Sequence, residues 1–167
     1  MTEQSALAAT GKLVPDLVLT RVLDAPRGLV FKVWTDPQHV QQWWGPHGFT
    51  NPVCDMDVRP GGALRITMRG PDGALYPGGG TFHEIIEPER IVFTTTAFED
   101  KSGVPQLEVL NTVTFVEQGG RTTLTLTAVV LKSTPELADA LAGMEAGWSQ
   151  SLEKFTAEVA GAAGGSL

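Results

Sequence analysis

The sequence predicts an α+β domain in which a curved antiparallel β-sheet wraps around a long C-terminal helix. Three observations lead to this prediction. Short segments that alternate apolar and polar residues recur through the middle of the chain and are separated by turn residues. Two short helical patterns follow the first strand, and one long amphipathic pattern closes the sequence. Strands and helices that occur in separate runs are typical of the α+β class.

The first strand is predicted over residues 17–23, and two short helices follow it. Asp24-Ala25-Pro26 starts the first helix, because the fixed φ of proline suits a first helical turn, where its missing N–H costs no hydrogen bond. Asp36-Pro37 repeats this signal with Asp36 as the N-cap. Gly45-Pro46 ends the second helix.

Six further strands are predicted after these helices, and turn residues separate them. Pro60-Gly61-Gly62 and Pro71-Asp72-Gly73 form two of the turns, and Glu117-Gln118-Gly119-Gly120 closes the last hairpin. The clearest strand alternates Leu64, Ile66 and Met68 with polar residues, which indicates one buried face. The predicted strands cover residues 53–58, 64–69, 81–86, 91–97, 107–116 and 122–131.

The C-terminal helix gives the strongest helical pattern in the chain. Ser133-Thr134-Pro135-Glu136 predicts a capping box, in which Ser133 and Glu136 each bind the other's backbone N–H. Apolar residues then recur at steps of three and four, giving one continuous face over about six turns, or ~35 Å. We expect the inner face of the sheet to cover that face. Its members are Leu137, Leu141, Met144, Trp148, Leu152, Phe155 and Val159.

Length and composition predict one folding unit and exclude two classes of partner. We expect a domain over residues 16–160, a flexible lead-in over 1–15 and a flexible glycine-rich tail over 161–167. The formal net charge of −7 opposes binding to nucleic acid or to a membrane surface, because each contact adds repulsion.

The cellular compartment is also predicted from composition. Cys54 is the only cysteine, so no intrachain disulfide forms and a reducing compartment is favoured. There is no secretion signal at the N-terminus and no apolar run of the ~20 residues that a membrane span needs. We therefore expect a cytoplasmic protein.

Several ordered motifs resemble a known family. They are Asp24-Ala25-Pro26, Val33-Trp34-Thr35-Asp36-Pro37, Trp43-Trp44-Gly45-Pro46, Asp57-Val58-Arg59-Pro60-Gly61-Gly62, Glu84-Ile85-Ile86-Glu87-Pro88-Glu89-Arg90 and Gly143-Met144-Glu145-Ala146-Gly147-Trp148. From about residue 17 to residue 159 the chain resembles the SRPBCC (START-like) superfamily. Within it, the pattern is similar to the family named after the activator of the heat-shock protein 90 ATPase. The resemblance implies a helix-grip fold with a deep cavity between the sheet and the C-terminal helix.

The resemblance also implies that a set of aromatic and methionine side chains lines that cavity. Two adjacent tryptophans on a helix point about 100° apart, so only one of Trp43 and Trp44 is expected to line it. For each residue of the set, packing in an ordinary core remains the alternative. The predicted ligand-binding residues are Trp43, Trp44, Phe49, Met56, Met68, Tyr76, Phe82, Phe93, Met144 and Trp148.

The leading hypothesis is a small-molecule-binding domain for a hydrophobic or aromatic ligand, without a cofactor. No metal site is expected, because histidine, cysteine and carboxylate residues lack metal-ligand spacing. A second hypothesis is a small cyclase, aromatase or hydrolase that uses Tyr76, His83, Glu84 or Glu108, and His39 and His47 are weaker acid–base candidates. The fold itself implies no reaction.

A third hypothesis is a chaperone-associated interaction protein. The namesake of the family carries an additional N-terminal domain that engages the chaperone, whereas this chain has a short lead-in. A chaperone contact is therefore not expected. Related domains pair in some cases, so a homodimer is a further expectation.

Overall fold

A computed structural model describes residues 14–165, so most of the predicted lead-in lies outside the described residues. The chain forms one seven-stranded antiparallel sheet in the order β1-β7-β6-β5-β4-β3-β2. The strands are β1 (Leu17–Leu23), β2 (Thr50–Met56), β3 (Ala63–Arg69), β4 (Leu75–Ile86), β5 (Arg90–Glu99), β6 (Pro105–Gln118) and β7 (Arg121–Lys132). The helices are α1 (Arg27–Thr35), α2 (Pro37–Trp43), α3 (Ala138–Ala142) and α4 (Met144–Gly165). The predicted α+β helix-grip fold is confirmed.

Both short helices begin where the sequence signals predict. Pro26 is the N-cap residue of α1, and Asp36 is the N-cap residue of α2. The Asp36 side chain accepts a hydrogen bond from the backbone N–H of Gln38 at 2.9 Å. This bond satisfies one of the donors that a helix start leaves without an internal partner.

Strand β4 is longer than its sequence pattern predicts. It begins at Leu75, and its first half includes Gly78, Gly79 and Gly80. Glycine is a weak strand former, but here β3 and β5 pair with it on both sides: Gly78 lies opposite Ile66 and opposite Ala97. Pairing with two neighbours therefore overrides the local propensity.

The C-terminal segment is not the single uninterrupted helix that the apolar repeat predicts, and that part of the prediction is wrong. A 3₁₀ turn (Pro135–Leu137) and the five-residue α3 precede Gly143, and the long helix α4 begins only at Met144. The predicted capping box does not form, because Thr134 is the N-cap residue and its side chain makes no cap bond. The Glu136 carboxylate instead bonds its own backbone N–H and the Thr134 hydroxyl, which lower its pKa.

Helix α4 also continues past residue 160, where a flexible tail is predicted. Its last turn extends to Gly165, and Ala162 packs against the hydrophobic core. A packing contact at this position stabilises helix in a segment whose glycines disfavour it.

The second half of α4 packs mainly on the short helices rather than on the sheet alone. Leu152, Phe155 and Val159 are buried. The Phe155 ring lies 5.2 Å from the ring of Trp34 and 4.9 Å from that of Trp43, centre to centre. We call this cluster, Trp34, Trp43, Leu152, Phe155 and Val159, the closed end of the domain.

Candidate functional site

The other end of the domain contains a cavity of about 770 Å³. Its floor is the inner face of β3 to β6, and its roof is α3 with the first two turns of α4. We call this region the open end. Its roof side chains are Ala140, Leu141, Met144, Gly147, Trp148 and Ser151, and its floor includes Leu64, Ile66, Met68, Gly78, Thr95, Ala97, Leu107 and Val109.

Small residues line this space and leave it empty, whereas large side chains fill the closed end. Gly147 lies in the roof, and a Cβ placed there would meet only the Cγ of Pro46, at 3.9 Å. On the floor, Gly78 and Ala97 lie opposite each other across β4 and β5. Neither has a side chain long enough to reach the roof. At the open end, unfilled space therefore separates the sheet from the helix.

Tryptophan rings form the wall between the cavity and the closed end. Trp148 stacks on Trp34 with ring centres 6.0 Å apart and an angle of 16°. Trp44 meets Trp148 edge-on, with ring centres 5.4 Å apart. Of the four tryptophans, Trp44 and Trp148 line the cavity. The indole N–H of Trp148 makes no hydrogen bond to any residue in the described part of the chain.

Trp43 and Trp44 point in different directions, as their adjacent positions require. Trp43 has 0% exposure, and its indole N–H donates to the Val33 carbonyl oxygen at 3.0 Å. Trp44 lies one residue beyond the end of α2 and is half-buried at the cavity wall. Trp43 therefore belongs to the closed end, and Trp44 to the open end.

The loop after α2 is attached to α4 by three hydrogen bonds, and these hold Trp44 in position. The backbone N–H of Gly45 donates to Ser151 Oγ at 3.0 Å, and the N–H of His47 donates to Gln150 Oε1 at 3.0 Å. Lys154 Nζ donates to the Pro46 carbonyl oxygen at 3.2 Å. Burial lowers the pKa of Lys154, because a low dielectric disfavours its charged form.

The backbone conformation at position 45 favours glycine. Its φ of +96° lies in the region that glycine adopts most readily. A Cβ at this residue would also lie 2.8 Å from the Met68 Sδ. The close contact places Met68 against the Trp44 loop, where it lines the cavity.

Aromatic side chains surround the mouth of the cavity. Tyr76 is 42% exposed, and its ring packs on the Phe49 ring with centres 5.8 Å apart. Phe98 is 46% exposed and has a φ of 58°, which is rare for a bulky residue. This backbone conformation breaks the alternation of β5, so Ala97, Phe98 and Glu99 all line the cavity.

Thr95 on β5 lines the floor, and Asn111 on β6 is buried beside it. Asn111 is fully buried, and its Nδ2 donates to the Thr95 Oγ1 at 3.2 Å. The same amide group donates to the carbonyl oxygens of Phe93, at 3.3 Å, and Val109, at 3.4 Å. Its Oδ1 is buried without a hydrogen-bond partner within residues 14–165.

The structure brings half of the predicted ligand-binding residues to the cavity: Trp44, Met68, Tyr76, Met144 and Trp148. The other five lie elsewhere. Trp43, Phe82 and Phe93 are buried in the core beneath the wall. Met56 packs against that core from β2, and Phe49 supports Tyr76 from behind. These five do not line the cavity.

Most residues of the cavity floor are absent from the set predicted from sequence. Thr95 and Ala97 continue the inward alternation that begins with Ile91 and Phe93 on β5, up to the break at Phe98. Leu107 and Val109 do the same on β6. The alternation of these strands, once anchored on their buried phenylalanines, is a signal that would have identified them. No sequence signal indicates the left-handed backbone of Phe98.

The histidines named as acid–base candidates lie away from the cavity. His39 Nδ1 is 2.7 Å from Glu158 Oε2, a contact that joins α2 to α4. His47 Nε2 is 3.2 Å from Glu153 Oε2 at the surface. His83 Nε2 is 3.1 Å from Thr94 Oγ1.

The acidic candidates also lie outside the cavity. Glu84 forms an ion pair with Arg90. Glu108 lies between Leu107 and Val109, which both line the cavity, so its side chain is on the other face of the sheet. Of the predicted acid–base residues, only Tyr76 lines the cavity. Within residues 14–165 no three histidine, cysteine or acidic side chains are grouped as a metal site requires, and no helix there has the length and apolar character to span a membrane.

Comparison with known proteins supports the fold assignment. Residues 24–160 match the family described as Activator of Hsp90 ATPase homolog 1-like protein. A Nitrosomonas europaea crystal structure is similar over 89% of this chain and 96% of its own, at 22% identity and a TM-score of 0.73. A Chromobacterium violaceum structure has 28% identity over 86% of this chain and 95% of its own, with a TM-score of 0.70. The AHSA1 protein from Silicibacter pomeroyi has 25% identity over 86% and 96%, with a TM-score of 0.71. No match was found among curated proteins.

Proposed function

This chain belongs to the Activator of Hsp90 ATPase homolog 1-like family, and we propose that it binds a hydrophobic or aromatic small molecule in the cavity of the open end. The observation that supports the proposal is the unfilled space of about 770 Å³ between the sheet and the C-terminal helices. Cavities of roughly 300–1,000 Å³ with mostly apolar walls are typical of small-molecule sites.

The chemistry of the wall fits this class of ligand. Trp44, Trp148 and Tyr76 offer flat apolar surfaces, and Met68 and Met144 offer flexible ones. Burial of about 200 Å² of apolar ligand surface contributes about 5 kcal/mol before the entropy of association is subtracted. Binding in the micromolar range requires about 8 kcal/mol, so a ligand that covers more of the wall or adds a polar contact reaches it.

Binding, rather than catalysis, is the function that the side chains support. A general acid or base acts within hydrogen-bond reach of the reacting group. The histidines and the predicted glutamates lie away from the cavity, and the carboxylate at its mouth, Glu99, is exposed. These positions place no buried acid–base pair against a ligand in the cavity.

The experiment uses a side chain that occupies the cavity without disturbing its supports. Gly147→Leu adds a side chain to the roof, where the space is open, and replaces a helical glycine by a better helix former. The matched control is Gly161→Leu, on the same helix at a position with no atom near its Cβ. The probe is N-phenyl-1-naphthylamine, an uncharged dye whose fluorescence increases in an apolar site.

We expect the wild-type protein and Gly161→Leu to bind the dye equally, and Gly147→Leu to bind it at least tenfold more weakly. A probe at 100 times its dissociation constant adds about 2.7 kcal/mol to stability, which raises the melting temperature of the wild type by about 5–10 °C. If Gly147→Leu binds the dye as tightly as the wild type, the dye does not enter the cavity and the proposal is wrong.

A further inference from the structure

The Thr95 side chain lies at the centre of the cavity floor. It faces Gly80 on β4 and Val109 on β6 across the two neighbouring strands. A Cβ at Gly80 would lie 2.0 Å from the Thr94 carbonyl oxygen, so the backbone of β5 packs closely against this glycine. Thr95 is half-buried and lines the cavity, so a bound molecule reaches its hydroxyl group.

The hydrogen bond from Asn111 determines which hydrogen-bonding group of the Thr95 hydroxyl remains for a ligand. Asn111 Nδ2 contacts the carbonyl oxygens of Phe93 and Val109, and both of these are acceptors only. The nitrogen, not the oxygen, of the amide must therefore face them. The same nitrogen donates to Thr95 Oγ1, so one lone pair of that oxygen is occupied.

The proton of the Thr95 hydroxyl remains available. Thr95 makes no other hydrogen bond to the described residues, so this proton has no acceptor among residues 14–165. Asn111 holds the oxygen from below, and the free O–H is left to donate to a group in the cavity. The unpaired Asn111 Oδ1 costs stability, and a leucine at this position would avoid that cost. The contribution of the amide is the hydrogen bond that orients the Thr95 hydroxyl.

The charges around the cavity restrict the ligand further. Among the described residues that line it, Glu99 at the mouth is the only charged one, and none is a lysine, an arginine or a histidine. A carboxylate ligand would therefore enter a site with no counter-ion, and desolvation of an unpaired charge is costly. Trp148 lines the same cavity, and its indole N–H makes no hydrogen bond to a described residue.

We propose that the cavity selects uncharged apolar ligands that carry a carbonyl-type oxygen, and that the Thr95 hydroxyl donates a hydrogen bond to this oxygen. The inference rests on the proposed function and specifies the class of ligand. Thr95 contacts the ligand, and Asn111 is a positioning residue that orients Thr95.

The test uses three naphthalenes of similar size that differ in one group. 2-Acetylnaphthalene carries a ketone, 2-isopropylnaphthalene has the same shape without oxygen, and 2-naphthoate carries a carboxylate. Each displaces N-phenyl-1-naphthylamine from the wild type and from three variants. Thr95→Val removes the hydroxyl and keeps the shape, Thr95→Ser keeps the hydroxyl, and Thr112→Val makes the same change at a half-buried threonine of β6 outside the cavity.

We expect Thr95→Val to weaken ketone binding by about 3- to 10-fold, the effect of one hydrogen bond, and to leave the isopropyl compound unaffected or tighter. Thr95→Ser and Thr112→Val keep the wild-type affinity for the ketone to within about twofold. 2-Naphthoate binds the wild type at least tenfold more weakly than the ketone. The infrared C=O stretch of the bound ketone lies at lower frequency in the wild type than in Thr95→Val.

Two results would overturn the inference. One is an equal change in the affinities of the ketone and the isopropyl compound in Thr95→Val, with an unshifted C=O stretch. The other is naphthoate binding as tight as ketone binding. In both cases the proposed function stands, because the apolar probes still bind. If the wild type binds neither the dye nor any naphthalene, the proposed function itself fails.

Discussion

The two ends of the domain share one helix and one sheet but are filled differently. At the closed end, Leu152, Phe155 and Val159 of α4 are buried against the aromatic rings of α1 and α2. At the open end, Met144 and Trp148 of the same helix are only half-buried, and small residues face them. The difference comes from which elements lie between helix and sheet: α1 and α2 occupy the closed end alone.

The comparison separates the source of stability from the place of function. Close packing and large buried side chains dominate the free energy of folding, and both are concentrated at the closed end. Helix α3, which covers the open end, has no buried residue. The open end can therefore contain unfilled space and an unpaired polar atom without unfolding the domain, since the closed end holds the helix to the sheet.

The largest effect on stability is expected when side chains of α4 are truncated, one at the closed end and one at the open end. Phe155→Ala removes a ring that contacts both Trp34 and Trp43, and should lower the free energy of unfolding by about 3–5 kcal/mol. Met144→Ala removes a half-buried side chain that already borders a cavity, and should cost less than about 1 kcal/mol. Urea denaturation measures both. Equal losses would show that the two ends contribute alike.

An intermediate effect, on the rate of thiol alkylation, is expected at Cys54, which packs against the hydrophobic core from β2. Burial, and then the negative charge of Asp55, raise the pKa of its thiol to about 11. Its thiolate fraction at pH 8 is then about 0.001, against about 0.2 for a free thiol. The greater nucleophilicity of a basic thiolate offsets part of this difference. We expect alkylation by iodoacetamide at pH 8 to be at least about tenfold slower in the native protein than in urea. Similar rates in both would refute the prediction.

The smallest effect is expected in the hairpin beside the open end. Backbone hydrogen bonds from Val104 and Ser102 hold the pKa of Asp100 below its ordinary value, and the charge of Lys132 acts in the same direction. A lowered pKa means that the folded state favours the carboxylate. Its contribution is complete above the unfolded pKa of about 3.9 and is lost as the pH falls through the lowered folded value. An NMR titration of the Asp100 carboxyl group should give a midpoint below 3.9, and a midpoint above it would contradict the assignment.

Most of the fold was predictable because its signals are local. The Asp36 cap, the strand alternation and the C-terminal apolar face each depend on residues within a few positions of one another. Two features were not predictable because they depend on contacts between residues that are distant in sequence. Strand β4 extends through three glycines because its neighbours pair with it. The apolar repeat continues through Gly143, but the helix does not, because Leu137 and Leu141 have no closed-end partners to pack against.

The site was harder to predict than the fold. The prediction favoured large aromatic and methionine residues. It therefore included Trp43, Phe82 and Phe93, which are buried in the core. It passed over Gly78, Thr95 and Gly147, because small residues carry no chemical signal. A cavity is defined by side chains that are missing at facing positions. Facing positions depend on which strands pair and where the helix lies, and a single sequence does not state these directly.

The stack of Trp148 on Trp34 has an optical consequence. Indole rings at this separation couple their electronic transitions, so the pair contributes to the circular dichroism spectrum as a unit. Trp148 also borders the cavity, so a molecule lying against it changes the environment of a coupled pair rather than of a single chromophore. Under the proposed function, this pair would report occupancy of the cavity without an attached dye.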